Sequence, residues 1–98
     1  MDVIEVRQTT RFSTWLADIR DGTTRAIIAR RLSRIALGNL GDQKSVGQGV
    51  HELRIHHGSG FRVYFTYRGA TIVILLCGGD KDTQDRDIET AKSLAKAL

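Results

Sequence analysis

The hydrophobic period of this chain changes once, near Gly41, and that single change constrains its architecture more than any other feature. Before it, apolar residues return at helical spacing; after it, they alternate as strands do. Phe12, Trp15, Leu16 and Ile19 stand at i, i+3, i+4 and i+7, behind Thr9 or Thr10 as a capping hydroxyl. They predict a first helix, which Asp21 and Gly22 end. A second helix spans residues 23–37, with Ile28, Leu32 and Ile35 on one face and Gly38 as its stop. Its opposite face carries Arg30 and Arg34, one turn apart. Ahead of this helical hairpin, residues 3–7 alternate as a short strand.

Beyond Gly41, residues 44–48 read as a weak strand, 50–57 as a better one and 61–67 as the clearest. A turn at Arg68, Gly69 and Ala70 leads to residues 71–77, apolar on both faces, which suits a central strand covered on both sides. Gly78 and Gly79 break that strand. A last helix begins near Thr83, capped by Asp82 or Thr83, with Ile88, Ala91, Ala95 and Leu98 as its buried stripe. The order β-α-α-β-β-β-β-α implies an α+β fold, a small antiparallel-dominated sheet with a helical hairpin and a C-terminal helix, the helices packed on one face. At 98 residues the expectation is one domain, 1–98. So little core leaves no room for a deep pocket, and a shallow groove on a sheet face is the expected site.

The formal charge of +4 favours a polyanion or an acidic protein as partner, although many small soluble proteins are basic without one. Cys77 is the sole cysteine, which rules out an internal disulfide and a cysteine-rich metal framework and fits a reducing compartment. Asp2, Glu5 and Arg7 interrupt the N-terminus where a signal peptide would be apolar. The longest apolar run, residues 72–77, is far short of a membrane span. These features predict a soluble, cytoplasmic protein with no membrane partner.

The hairpin from His51 to Tyr67 holds most of the chemistry. With Gly58, Ser59 and Gly60 as its loop, His57 pairs with Phe61, His56 lies opposite Arg62, and Arg54 lies opposite Tyr64. Alternation then puts Leu53, Ile55, Phe61, Val63 and Phe65 in the core and Arg54, His56, Arg62 and Tyr64 together on the other face. Two guanidiniums so close repel unless an anion joins them. That anion is a phosphate, or it is Glu52 on the same face; a solvated arginine face is equally ordinary.

Cleavage of RNA by its own 2′-hydroxyl is the reaction such a face suits. Arginine's planar fork matches the charge that builds on the phosphorane oxygens. His56 has the ordinary range for proton transfer near neutrality, although a lone strand histidine is more often a surface residue. Tyr64 is placed to stack on a base or bond the phosphate, or simply to pack across the strands.

A second candidate is the stretch from Gly78 to Gln84, where a strand feeds a helix N-terminus. Its free amides suit an anion, or it is only a capped turn; its spacing is not that of a P-loop. Gln84, one turn before Ile88, projects back over the sheet, and Lys81 can bring a third cation. The histidines at 51, 56 and 57 alternate across a strand without a carboxylate set, so no metal site is expected. Cys77 reads as a core residue.

The run Gly49, Val50, His51, Glu52, Leu53, Arg54, Ile55, then Gly60, Phe61, Arg62, Val63, Tyr64, Phe65, resembles the signature of RelE-like toxins. It is most similar to the HigB-type addiction-module killer proteins. The later run from Leu76 to Gln84, with Asp87 and Ile88 after it, is similar to the next motif of that subgroup, and the resemblance spans essentially the whole chain. It implies the toxin of a type II toxin–antitoxin pair, a metal-independent endoribonuclease that cuts mRNA in the ribosomal A site without a cofactor. The implied partners are a helix-turn-helix antitoxin of the HigA type, the ribosome and mRNA. By position Arg62 resembles the phosphate-stabilising arginine, Arg54 a strand cation, and Lys81 a further cation. His56 completes the candidate catalytic set, with Tyr64, Gln84, Arg30 and Arg34 as candidate RNA contacts. Where some relatives carry a catalytic tyrosine, this chain has Asp87 or a near neighbour. The superfamily also holds ParE-like inhibitors that bind DNA gyrase, and a catalytically inert antitoxin-binding module is a third reading.

Overall fold

A computed structural model describes residues 4–98. In chain order it comprises β1 (Glu5–Gln8), α1 (Thr10–Asp18), α2 (Gly22–Ala36), β2 (Gln43–Gly47), β3 (Val50–Ile55), β4 (Phe61–Arg68), β5 (Ile72–Gly79), a 3-10 turn (Lys81–Thr83) and α3 (Gln84–Lys96). The strands form one sheet ordered β1-β5-β4-β3-β2, in which β1 runs parallel to β5 and the other neighbours are antiparallel. The expected order of elements and the antiparallel-dominated sheet hold. The first strand lies at Glu5–Gln8, and Val3, expected in it, falls outside the described residues.

The helix boundaries follow from capping chemistry. Thr9 Oγ1 accepts from the Phe12 amide at 3.0 Å and donates to Leu76 O at 2.7 Å, so one hydroxyl both starts α1 and ties it to β5. Asp21 and Gly22 do not end α1, which stops at Asp18. Instead, the Asp21 carboxylate accepts from the Thr23 amide at 3.1 Å and starts α2. An Asp–Gly pair resembles a stop, but a carboxylate aimed at free helix amides is a start. Gly38, at φ +83°, closes α2 as expected: its amide donates to Ile35 O, and that of Asn39 to Arg34 O.

The helices do not share one face of the sheet. Phe12, Ile28, Leu32 and Ile35, from α1 and α2, pack with Leu53, Ile55, Val63, Phe65, Val73 and Leu75 on one side. Val50, Tyr64, Ile74, Leu76, Cys77 and Ala91 form a second cluster under α3 on the other. The cause is in β5, whose successive apolar residues point both ways and need cover on both faces. Ile88, Leu94 and Ala95 join Ala91 on the inner stripe of α3, whereas Leu98 lies past the helix and is half exposed. Cys77 is a core residue as expected, and burial pushes its thiol up to about 12.

Gly78 and Gly79 do not break β5 but belong to it. A Cβ on Gly78 would overlap the Trp15 ring of α1, and one on Gly79 would overlap the Asp87 carboxylate of α3. The pair is glycine because elements from both layers close on the strand there.

Candidate anion-binding site

The expected faces of the hairpin are present, in a different register. Ile55 pairs with Phe61, Arg54 with Arg62, and Glu52 with Tyr64. The connection is residues 56–60, longer than the expected loop of Gly58, Ser59 and Gly60. His57 N donates to Ile55 O, Gly60 N donates back to His57 O, and Gly58 takes the positive φ of +58° that such a tight turn needs. Both histidines therefore leave the ladder. Arg54 and Arg62 become direct cross-strand partners, an arrangement that is repulsive without an anion between them.

Glu52 is that anion. It is fully buried, and its Oε1 accepts from Arg54 Nε at 3.0 Å. Its Oε2 accepts from Tyr64 Oη at 3.1 Å and from Gln84 Nε2 at 2.8 Å. Burial alone would raise the carboxyl, but the bonds from Gln84, Arg54 and Tyr64 outweigh it and hold the group below the ordinary glutamate range. Burial, then the Glu52 charge, push the Tyr64 phenol far above its ordinary value, so it remains a donor. With no exposure at all, Tyr64 cannot stack on a base, and its ring packs under α3.

Arg62 is left short. Its Nε stands 3.7 Å from Glu52 Oε2, is buried, and has no hydrogen-bond acceptor among the described residues. One terminal nitrogen, Nη1, donates to Gly60 O at 2.7 Å. Arg54, by contrast, has its carboxylate and is about one-third exposed. Two guanidiniums facing one carboxylate leave an excess positive charge; Arg54 can also reach solvent, whereas the Arg62 Nε is buried.

The other candidates divide. Lys81 begins the 3-10 turn, exposed, with its amide donating to Ser59 O at 3.4 Å and its side-chain root beside Gly60, so the structure brings it to the Arg62 end of the hairpin. Asp80 caps that turn, accepting from the Asp82 amide at 2.9 Å, and Thr83 completes a reciprocal box by accepting from the Asp80 amide at 3.3 Å and stands at the N-cap position of α3; Asp82 caps neither. Gln84 does project over the sheet, but its amide is engaged by Glu52. His56 is not opposite Arg62: its Nε2 lies 2.6 Å from Asp42 Oδ2 and its side chain is 74% exposed. His57 meets Thr24 instead, and His51 stacks on Phe65. Asp87 accepts from the Thr83 hydroxyl. Among the described residues no group of three or more His, Cys, Asp or Glu is placed to hold a metal ion.

Arg30 and Arg34 are exposed on the outer face of α2, across the sheet from Glu52. The only charged residues from Gly22 to Gly41 are Arg25, Arg30, Arg31 and Arg34, so this segment alone carries a charge equal to the formal +4 of the chain. Arg31 was missed by sequence reasoning. Its Nη1 donates to Arg54 O at 2.8 Å and its Nη2 to Leu40 O at 3.1 Å, pinning β3 behind the site. The signal was its position between Ile28 and Ile35 on the inward side of α2, where a solvated arginine would be out of place.

The arrangement concentrates positive charge at the Arg62 end of the hairpin, where Arg54 is the cross-strand partner and the Lys81 Cβ lies beside Gly60. Of the groups named for proton transfer or phosphate contact, Glu52 is buried and engaged, Tyr64 is held as a phenol, and His56 lies elsewhere.

The profile of the Gp49-like family of phage-derived proteins (DUF891) matches residues 14–96. An uncharacterized protein of Haemophilus influenzae is 47% identical over 95 residues, covering 97% of this chain and 96% of its own. Among solved structures, an arginine double mutant of the Escherichia coli toxin RelE in its free state superposes with a TM-score of 0.71 at 12% identity, over 93% of this chain and 97% of that one. At that identity the likeness is one of fold.

Proposed function

This chain belongs to the Gp49-like family of phage-derived proteins, and from that membership together with the site geometry we propose that it is the toxin of a type II toxin–antitoxin pair, one that cuts mRNA on the ribosome. The observation that carries the reading is Arg62: a largely buried guanidinium, second in line for a single carboxylate, with an Nε that has no acceptor among the described residues. An RNA phosphate gaining charge in the transition state supplies what this arginine lacks, and a preorganised donor of this kind is usually the largest catalytic contribution. The RelE-like fold supports the same reading, since the solved protein that shares it is a toxin. In this reading Arg54 and Lys81 add charge, and the HigB-type resemblance of the hairpin motif points to a helix-turn-helix antitoxin as partner. The protein works where ribosomes are, in the cytoplasm, as a single toxin domain.

Primer extension on transcripts after brief induction is the test. New 5′ ends within translated frames are expected. Intact transcripts with altered plasmid supercoiling would replace the nuclease with a gyrase inhibitor.

The all-arginine face of α2 lies apart from the site and serves in this proposal as the contact with ribosomal RNA. Arg30→Glu with Arg34→Glu should weaken ribosome co-sedimentation and flatten its dependence on salt, because each lost phosphate contact removes released counterions. Unchanged binding across a salt series would retire that role.

A further inference from the structure

The Arg62 guanidinium is held by the carbonyl of Gly60, a residue in a loop, so something must hold the loop. On one side the Ser59 carbonyl accepts from Lys81 N, and Ser59 Oγ lies 3.4 Å from Asp80 Oδ2, both long contacts. On the other side the loop reaches across to the start of α2. Thr24, buried at 4% exposure, donates from Oγ1 to Asp21 Oδ2 at 2.8 Å, and His57 Nε2 lies 3.1 Å from the same Oγ1. The Asp21 carboxylate also caps α2 through the Thr23 amide. Because the threonine proton is committed to Asp21, the hydroxyl oxygen is free to accept, and His57 Nε2 must be the donor.

We infer that His57 is a positioning residue: its bond to the Thr24–Asp21 pair fixes the His57–Gly60 turn and thereby the orientation of the Arg62 guanidinium. The path is continuous. Asp21 orients Thr24, Thr24 holds the His57 ring, the His57 carbonyl accepts from Gly60 N at 3.1 Å, and Gly60 O accepts from Arg62 Nη1. The Nε2–H donor exists both in the matching neutral tautomer and in the imidazolium. The tether's consequence for RNA cleavage rests on the function proposed above; its consequence for the loop does not.

Four variants separate the tether from simple packing. His57→Ala removes the donor, whereas His57→Gln keeps an amide donor of similar reach. Thr24→Val removes the hydroxyl at constant shape, whereas Thr24→Ser keeps it. Amide hydrogen exchange of Gly60 and the Arg62 Nε–Hε resonance are read by NMR on the intact chain. Gly60 exchange is expected to rise about 5- to 10-fold in His57→Ala and Thr24→Val, as for loss of one net hydrogen bond, and the Arg62 resonance to move with it. His57→Gln and Thr24→Ser should stay close to wild type. On programmed ribosomes the two disruptive variants should lose kcat about 5- to 10-fold at unchanged KM, with His57→Gln restoring it. Unchanged Gly60 exchange and an unmoved Arg62 resonance in both disruptive variants would overturn the tether. If the wild type cuts no mRNA, the proposed function fails, and the exchange data still decide the tether.

Discussion

Arg62→Ala is expected to lower mRNA cleavage on programmed ribosomes by on the order of 100-fold or more, the loss seen when one preorganised oxyanion donor is removed, while the thermal midpoint stays level or rises. The two halves of this expectation have one cause. Arg62 is 13% exposed, its Nε has no acceptor among the described residues, and Glu52 stands 3.7 Å away with its oxygens already engaged. A desolvated donor without a partner costs the folded state stability, so its removal relieves that cost. Rigid placement is what makes the same group useful. β4 anchors it through Val63 in one core cluster and Tyr64 in the other, and Gly60 O holds one end of the fork. Arg62→Lys keeps the charge but loses the planar fork and should remain clearly impaired. Cleavage rate measured beside thermal midpoint decides the matter. Wild-type cleavage by Arg62→Ala, or inactivity caused by unfolding, would remove the site from this hairpin.

Glu52→Ala should act in the opposite sense on stability, costing about 3–5 kcal/mol, the range for breaking a buried ion pair from one side. It would leave Arg54 and Arg62 facing each other without a counterion and strip the partners from Tyr64 Oη and Gln84 Nε2. Glu52→Gln preserves the shape and should cost less. It also gives a pH test whose sign is determined. The folded carboxyl lies below its ordinary value of 4.5, so its contribution to stability is complete above that value and is lost as pH falls through the lower folded value. Urea midpoints from neutral pH down to about pH 3 should fall more steeply for wild type than for Glu52→Gln. Parallel curves would mean that Glu52 is not held as the buried anion of the site.

How much of this was legible beforehand depends on the range over which each property is decided. Alternation is local, so it correctly put Leu53, Ile55, Val63 and Phe65 on one face of the hairpin and Glu52, Arg54, Arg62 and Tyr64 on the other. The helical stripe of Ile28, Leu32 and Ile35 and the inward aim of Gln84 are local in the same way. Register is not local. A loop of Gly58, Ser59 and Gly60 and the longer 56–60 connection both keep these faces, since a shift by two residues preserves the alternation. The choice between them went to the turn that His57 and Gly60 close, with Thr24 of α2 bonded to the His57 ring, far away in sequence. That shift removed His56 from the site and set Arg54 against Arg62. The side taken by α3 was likewise decided by tertiary packing. An amphipathic helix carries an apolar stripe but not the identity of the surface that will cover it. Once α3 took the second face, Tyr64 changed from a candidate base-stacking residue to a buried donor, and Glu52 became an enclosed counterion. Which residues share a face was decided by the sequence through the geometry of one strand; which of them face water, and which arginine goes without a partner, was decided by elements distant in the chain.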